Sequence, residues 1–494
     1  MMKPIAAKLF AKIIHHKNQK WINNPLDYQK KTFNYLIKQG GNTDFGKDHN
    51  FHKIKDYSDF QAAVPVRDYE GLRPYVKKML AGKTSVLWPG KPLYYAKTSG
   101  TTSGVKYIPI SKDSMPTHIT AARDALLNYI YNTGDADFVN GKQIFLQGSP
   151  ILEKTRGITY GRLSGIVAHY VPKYLQKSRM PSWETNCIED WETKVDAIVE
   201  ETFSENMTLI AGIPSWVQMY FEKLIEKSNL KVGEKFKNFS LFVYGGVNYE
   251  PYRPMFEKLI GRKVNSVELF PASEGFFAYQ DQPEKRGLLL LVDNGIFYEF
   301  IKADEFGENN AKRHTLDQVQ LGVNYVLILS TTAGLWGYNI GDTVKFVSLS
   351  PYRLVVTGRI KHYISAFGEH VIGKEVETAM EEACKGTAVQ VKEFTVAPQI
   401  NPKDGLPYHE WLVEFENLPI KMDEFEALLD QKMQAQNVYY EDLINGKVLR
   451  TLVITQVAPS AFQTFMKSIG KLGGQNKVPR LSNDRKIADQ LPLK

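Results

Sequence analysis

The rhythm of polar and apolar positions changes along the chain. Up to Gly82 the apolar positions recur at helical spacing, as in DYQKKTFNYLIKQG and DYEGLRPYVKKMLAG, with Gly82 standing where a helix stop is expected. Short apolar runs then alternate with helix-period segments. KQIFLQGS, MTLIAGIP, SLFVYGG, NSVELFPASEG, GLLLLVD and IFYEFI predict strands, and ETKVDAIVEETFSE, PSWVQMYFEKLIEKS and EPYRPMFEKLIG predict helices among them. Strands separated by helices imply a mainly parallel sheet with helices packed on it. Beyond Asp342 the rhythm shifts again: VKFVSL and RLVVTGRI pair naturally as a hairpin. A mixed segment follows, with KEVETAMEEAC and MDEFEALLDQKMQAQ as amphipathic helices and EFTVAPQI and HEWLVEFE as strands. The expected class is α/β, with a large multi-lobed N-terminal domain over 1–358 and a small α+β C-terminal domain over 359–494.

Composition narrows the partners. At 494 residues, with 43% apolar and 23% charged positions, this is an ordinary globular sequence too long for one hydrophobic core. Its net charge of +8 is spread out, which suits a small anionic substrate and disfavours nucleic acid, whose binding calls for a clustered basic face. Cys187 and Cys384 form neither a disulfide framework nor a metal-ligand spacing, so a reducing, cytoplasmic setting is expected. Lysines at 3, 8, 12 and 17 break any signal-peptide pattern at the start, which reads as an amphipathic helix, with weak surface attachment as a minor alternative. Residues 318–341 carry no charge over a membrane-spanning length, yet Asn324, Ser330, Thr331, Thr332, Asn339 and four glycines interrupt them. No stable membrane insertion is expected, and a monomer is the default.

Candidate chemistry begins at YYAKTSGTTSGVKYIPIS, residues 94–111. A Walker loop requires G-x-x-x-x-G-K followed by Ser or Thr, and counting from Gly100 puts Val105 at the second glycine and Tyr107 at the hydroxyl. Phosphoryl transfer by a P-loop enzyme is therefore disfavoured. Thr98, Ser99, Thr101, Thr102 and Ser103 still supply hydroxyls, Gly100 and Gly104 let backbone N–H groups turn toward an anion, and Lys106 adds charge. A polar hairpin turn has the same composition, so the stretch alone leaves both readings open.

The order T-S-G-T-T-x-G-x-K resembles the phosphate loop of the adenylate-forming superfamily. With Ser103 and Val105 where that superfamily more often has glycine and proline, it is most similar to the plant auxin-conjugating branch, the Gretchen Hagen acyl acid amido synthetases. Further elements stand in the family's order, and the resemblance runs from about Asp27 to Pro479. SLFVYGGVNYEP resembles the segment lining the adenine, which implies that role for Gly245, Gly246 and Val247. ELFPASEG resembles the aromatic-x-x-Ser/Thr-Glu element, implying Ser273 on phosphate and Glu274 as catalytic acid and magnesium ligand. GLWGYNIGDTVKF resembles the Tyr-x-x-Gly-Asp element, implying that Asp342 accepts both ribose hydroxyls, as a carboxylate is able to do. TGRIKHYISAFGEHV implies Arg359 near ribose or phosphate and Lys361 as hinge, while GGQNKVPRL implies Lys477 as the mobile catalytic lysine.

The resemblance implies an N-terminal adenylation domain and a mobile C-terminal one, with ATP and Mg²⁺ as cofactors. A small carboxylic acid would be adenylated with release of pyrophosphate, and its acyl group passed to an amino acid amine. A coenzyme A thiol is the alternative acceptor, and a non-catalytic binding protein a third reading. For the acyl pocket, Trp216 and Tyr220 share a helical face at i, i+4 and could wall an apolar acid or serve as plain core. Tyr160, Arg162 and His169, in and beside GRLSGIVAHYVPKYLQ, are candidates for lining the pocket or orienting a carboxylate.

Overall fold

The computed structural model describes residues 2–494 apart from 99–105, 156, 247–248, 309–310, 361–362, 365–370, 401, 446–448, 473–476 and 483. Helices open the chain at Met2–Ile22, Pro25–Gly40 and Tyr69–Leu80. The third starts on Asp68, whose carboxylate accepts from the N–H groups of Glu70 and Gly71, and ends just before Gly82 at φ 96°, a conformation natural to glycine.

Strands follow: β1 (Tyr94–Thr98), β2 (Lys106–Ile110), β3 (Lys142–Phe145), β4 (Glu153–Thr155), β5 (Ile158–Gly161), β6 (Arg179–Met180), β7 (Met207–Ala211) and β8 (Leu241–Gly245). They continue as β9 (Asn265–Ala272), β10 (Gly275–Tyr279), β11 (Leu288–Leu290), β12 (Ile296–Lys302), β13 (Asn324–Thr331), β14 (Tyr338–Leu349) and β15 (Tyr352–Arg359). A small sheet has the order β2-β1-β5-β4, and the main sheet β12-β13-β14-β15-β11-β10-β9-β8-β7-β3-β6.

The main sheet is parallel from β6 through β3, β7 and β8 to β9. From β9 to β10 to β11 to β15, and among β12, β13 and β14, it is antiparallel. The helical connections explain the division. A parallel neighbour needs a long crossover, and helices such as Trp191–Thr202 and Pro214–Ser228 supply one. Two-residue turns join β9 to β10 and β14 to β15, and such turns make antiparallel pairs. The uncharged run around VNYVLILS is β13, buried over seven of its eight residues and paired on both sides.

The chain divides into two compact units, Met1–Val247 with Leu259–Val355 and Asn248–Lys258 with Val356–Lys494. The second is α+β. Its three-stranded sheet (Gln390–Gln399, Tyr408–Asn417, Val453–Gln456) and the helices Gly373–Cys384 and Met422–Gln436 share a core of Val376, Met380, Phe394, Trp411, Leu429 and Met433.

Candidate functional site

The phosphate-loop candidate tops a hairpin. β1 and β2 are antiparallel with Thr98 directly opposite Lys106, so both ends of the loop are held while Ser99, Gly100, Thr101, Thr102, Ser103 and Gly104 lie outside the described residues. Helix Tyr69–Leu80 steadies the second strand. The Tyr107 N–H donates to the Tyr69 hydroxyl at 3.0 Å, and the Lys106 ammonium stands 5.9 Å from the centre of the same ring.

Because β3, β7, β8 and β9 are parallel, their carboxyl ends share one edge, where open α/β sheets take ligands. Gly245 closes β8 opposite Leu269, and a Cβ there would meet the Leu269 carbonyl oxygen at 2.6 Å. Gly246 has φ 77°. These two glycines are therefore demanded by close strand approach and by a left-handed turn. Val247 lies outside the described residues.

Ser273 and Glu274 form the two-residue turn from β9 into β10, with Gly275 opposite Ala272. Ser273 is only 9% exposed, and Glu274 is half-buried with a carboxylate oxygen 3.5 Å from the Tyr338 hydroxyl. Tyr338 begins β14, the strand that carries Asp342. There the register slips, since Val326 faces Thr343 while Ile328 faces Asn339, leaving residues 340–342 as a bulge. Gly341 takes φ 85°, and its N–H donates to the Asn339 side chain at 2.8 Å. Bulges of this kind re-aim side chains beside functional sites, and Asp342 rides on it, buried.

One sheet edge thus carries Gly245, Gly246, Ser273 and Glu274, and Tyr338 ties Glu274 to the strand of Asp342. The reading of Tyr-x-x-Gly-Asp assigned only its acid; the tyrosine, flanked by Trp336 and Ile340, reads in sequence as core. Among the described residues no three His, Cys, Asp or Glu gather to hold a metal by themselves. Magnesium commonly takes one or two carboxylates with the rest of its shell from phosphates and water, so the oxygens of Glu274 and Ser273 fit an ion that arrives with a nucleotide.

The remaining candidates are dispersed. Arg359 ends β15, and Lys361 lies outside the described residues. Lys477 is exposed in the C-terminal unit, on a segment anchored just downstream. There the Pro479 carbonyl accepts from Thr395 at 2.7 Å, and the Arg480 carbonyl accepts from the Val396 N–H at 2.9 Å. The half-buried Arg480 guanidinium meets Glu377 at 3.1 Å, Glu393, the Tyr252 hydroxyl at 3.2 Å and the Phe394 carbonyl at 3.1 Å. Burial opposes its charge, yet Glu393, Tyr252 and Glu377 outweigh that and hold it above its ordinary pKa. In the N-terminal unit the Trp216 ring packs 4.7 Å from Trp191, and Tyr220 is fully buried with its hydroxyl 2.7 Å from Thr202. Their contacts join helices Pro214–Ser228 and Trp191–Thr202. Tyr160 lies under the Lys97 ammonium at 4.5 Å, and the His169 ring stands 4.9 Å from Trp183.

The sheet has the fold of the adenylate-forming ligases. With a TM-score of 0.61 and 13% identity, the chain matches 2-hydroxyisobutyryl-CoA ligase, solved in the postadenylation state with 2-HIB-AMP, over 95% of this chain and 90% of that one. The match to the GH3.15 acyl acid amido synthetase has a TM-score of 0.79 at 15% identity, over 96% and 95%. The chain belongs to the GH3 family, whose N-terminal domain matches residues 14–186, central domain 289–359 and C-terminal domain 374–486. It is 21% identical to indole-3-acetic acid-amido synthetase GH3.4 of Arabidopsis thaliana, over 92% of this chain and 89% of that one. It is 22% identical to jasmonoyl-L-amino acid synthetase JAR4 of Nicotiana attenuata, over 64% of this chain and 66% of that relative.

Proposed function

We propose that the chain joins a carboxylic acid to an amino acid through an acyl-adenylate. What carries the reading is membership of a family whose three domain models match residues 14–186, 289–359 and 374–486, in a protein that keeps an acid at both Glu274 and Asp342. In the first half-reaction a carboxylate oxygen attacks the α-phosphorus of ATP, forming the acyl phosphate bond and breaking the bond to pyrophosphate. In the second, a neutral amine attacks the acyl carbon, the C–N bond forms and AMP leaves.

The roles follow from chemistry and position. The hairpin loop from Thr98 to Lys106 holds the phosphates with N–H groups, hydroxyls and a cation. Gly245, Gly246 and Val247 are assigned to the adenine, Ser273 to phosphate, Asp342 to the ribose hydroxyls and Arg359 to ribose or phosphate. Glu274, whose carboxylate lies beside the Tyr338 hydroxyl, would hold the magnesium that accompanies ATP, an ion that would supply positive charge against the pyrophosphate. Lys477 meets phosphate and carboxylate oxygens in the first half-reaction, and a hinge at Lys361 lets it withdraw for the second. Trp216 and Tyr220 are the candidates for walling the acyl pocket. A coenzyme A thiol is the second reading, motivated by the fold shared with a CoA ligase. Two cysteines without a disulfide, and no described helix long and apolar enough to cross a membrane, agree with a cytoplasmic enzyme.

Incubation with ATP, Mg²⁺ and a panel of carboxylic acids is expected to give acid-dependent exchange of labelled pyrophosphate into ATP. Lys477→Ala should lower the exchange about 10²-fold or more. Formation of ADP in place of AMP would sink adenylation. Adding amino acids or coenzyme A, with mass spectrometry of the products, separates the two acceptors.

A further inference from the structure

Three cations converge behind the end of β3 with no counter-ion among the described residues. Lys194, on helix Trp191–Thr202, is 1% exposed, and its ammonium donates to the carbonyls of Gln147 at 3.0 Å and Asn186 at 2.5 Å. In the amide orientation that satisfies both ends of Gln147, its oxygen accepts from Arg179 at 2.6 Å and Asn186 at 2.9 Å. Arg179 also donates to the Ala168 carbonyl at 3.2 Å. Arg162 is exposed and lies against Gly148, where a Cβ would stand 3.0 Å from its Cδ and 3.1 Å from Nη1.

Among the described residues no carboxylate pairs with any of the three; Glu189 acts on Arg162 only through space. Burial lowers the pKa of all three cations, bringing the Lys194 ammonium down to about 8, where Arg162 pushes the same way and Cys187 opposes it. Two further polar atoms beside them, Ser164 Oγ and Asn186 Oδ1, are buried without a partner among the described residues. With Lys194 buried, Arg179 half-buried and Arg162 exposed beside them, the like charges oppose one another, and an anion at the exposed end would relieve that.

Strand register places the cluster. Phe145 pairs with Ala211 and Ala211 with Val243, so the end of β3, two residues before Gln147, and Val243, two residues before Gly245, stand two strand spacings apart, about 10 Å. In the small sheet Gly161 pairs with Ala96 in parallel β5 and β1, so Arg162 comes level with Lys97, one residue short of Thr98. The cluster is thus within the length of a small molecule of both the Gly245 turn and the base of the hairpin loop.

We propose that Arg162, backed by Arg179 and Lys194, is a subsite for a substrate carboxylate. The planar guanidinium fork matches a carboxylate in two parallel hydrogen bonds, and Arg162 is the exposed member, with no hydrogen-bond partner among the described residues. The carboxylate comes either from the amino acid acceptor or from a second acid group on the acyl substrate; that choice of sources rests on the ligase reading, whereas carboxylate binding itself does not.

Calorimetric titration of the full chain with malonate tests binding without turnover. Wild type should bind it about tenfold or more tightly than Arg162→Ala, the scale of a lost charge-assisted hydrogen bond, with Arg162→Lys in between. Equal binding by wild type and Arg162→Ala overturns the subsite, whereas absence of pyrophosphate exchange with every acid would overturn only the ligase reading. In turnover, Arg162→Ala raises KM for the amino acid but not for its primary amide if the acceptor is the source. It raises KM for a dicarboxylic acid but not a monocarboxylic one if the acyl substrate is. A rise confined to the KM of ATP assigns the cluster to phosphate and overturns the proposal.

Discussion

Two basic clusters, one in each unit, make opposite use of arginine. Around Arg480 every charge is answered: Glu377, Glu393, a tyrosine hydroxyl and a carbonyl take its donors, and its carbonyl joins strand Gln390–Gln399. Around Lys194, Arg162 and Arg179 the partners are carbonyls and an amide, all uncharged. The first arrangement is complete within the protein and fixes a segment in place. The second is incomplete, and its surplus positive charge faces an edge where parallel strands end. Whether a buried cation holds the fold or awaits a ligand is decided by its neighbours.

The largest expected effect comes from breaking the complete cluster. Arg480→Met leaves two glutamates facing each other without their cation and should cost about 3 to 5 kcal/mol in denaturant unfolding. Adding Glu393→Gln should recover part of that loss; if Arg480→Met is neutral, the anchor assignment fails. Next in size is the pH response of the incomplete cluster. Folded Lys194 holds its proton to about pH 8, against 10.5 for an unperturbed lysine. Across that window the unfolded chain binds more protons, so the penalty for burying the charge is full below about pH 8 and fades as pH rises toward 10.5, by up to about 3 kcal/mol. Wild type should therefore gain stability relative to Lys194→Met between about pH 8 and about pH 10, and parallel curves would show that the ammonium is not strained. The smallest effect is on the exposed arginine: Arg162→Ala should shift stability by no more than about 0.5 kcal/mol, and a larger loss would make it a structural residue.

The same contrast shows what was legible in the sequence. Strands between helices predicted parallel pairing, and pairing is parallel where helices intervene; the antiparallel half follows from two-residue turns such as Ser273-Glu274, which read in sequence as a motif and not as a hairpin turn. Asp342 was legible because it sits in a recognisable string, but the bulge that aims it is a matter of register with β13, which only strand pairing reveals. Lys194 was illegible for a different reason. In ETKVDAIVEETFSE it reads as a solvated lysine on an amphipathic helix, and only packing against the end of β3 buries it. For Trp216 and Tyr220 the i, i+4 spacing leaves a pocket wall and plain core both open, and their described contacts lie with Trp191 and Thr202.

The membership of residues 248–258 in the C-terminal unit has a consequence for biosynthesis. Tyr252 leaves the ribosome 228 residues ahead of Arg480, its partner, a wait of roughly 10 to 45 s at ordinary translation rates. Through that interval Tyr249, Tyr252 and Phe256 are made but their unit is not, so a nascent chain has a sticky segment to shield. Cutting the gene at codon 356 would deliver a C-terminal fragment without it.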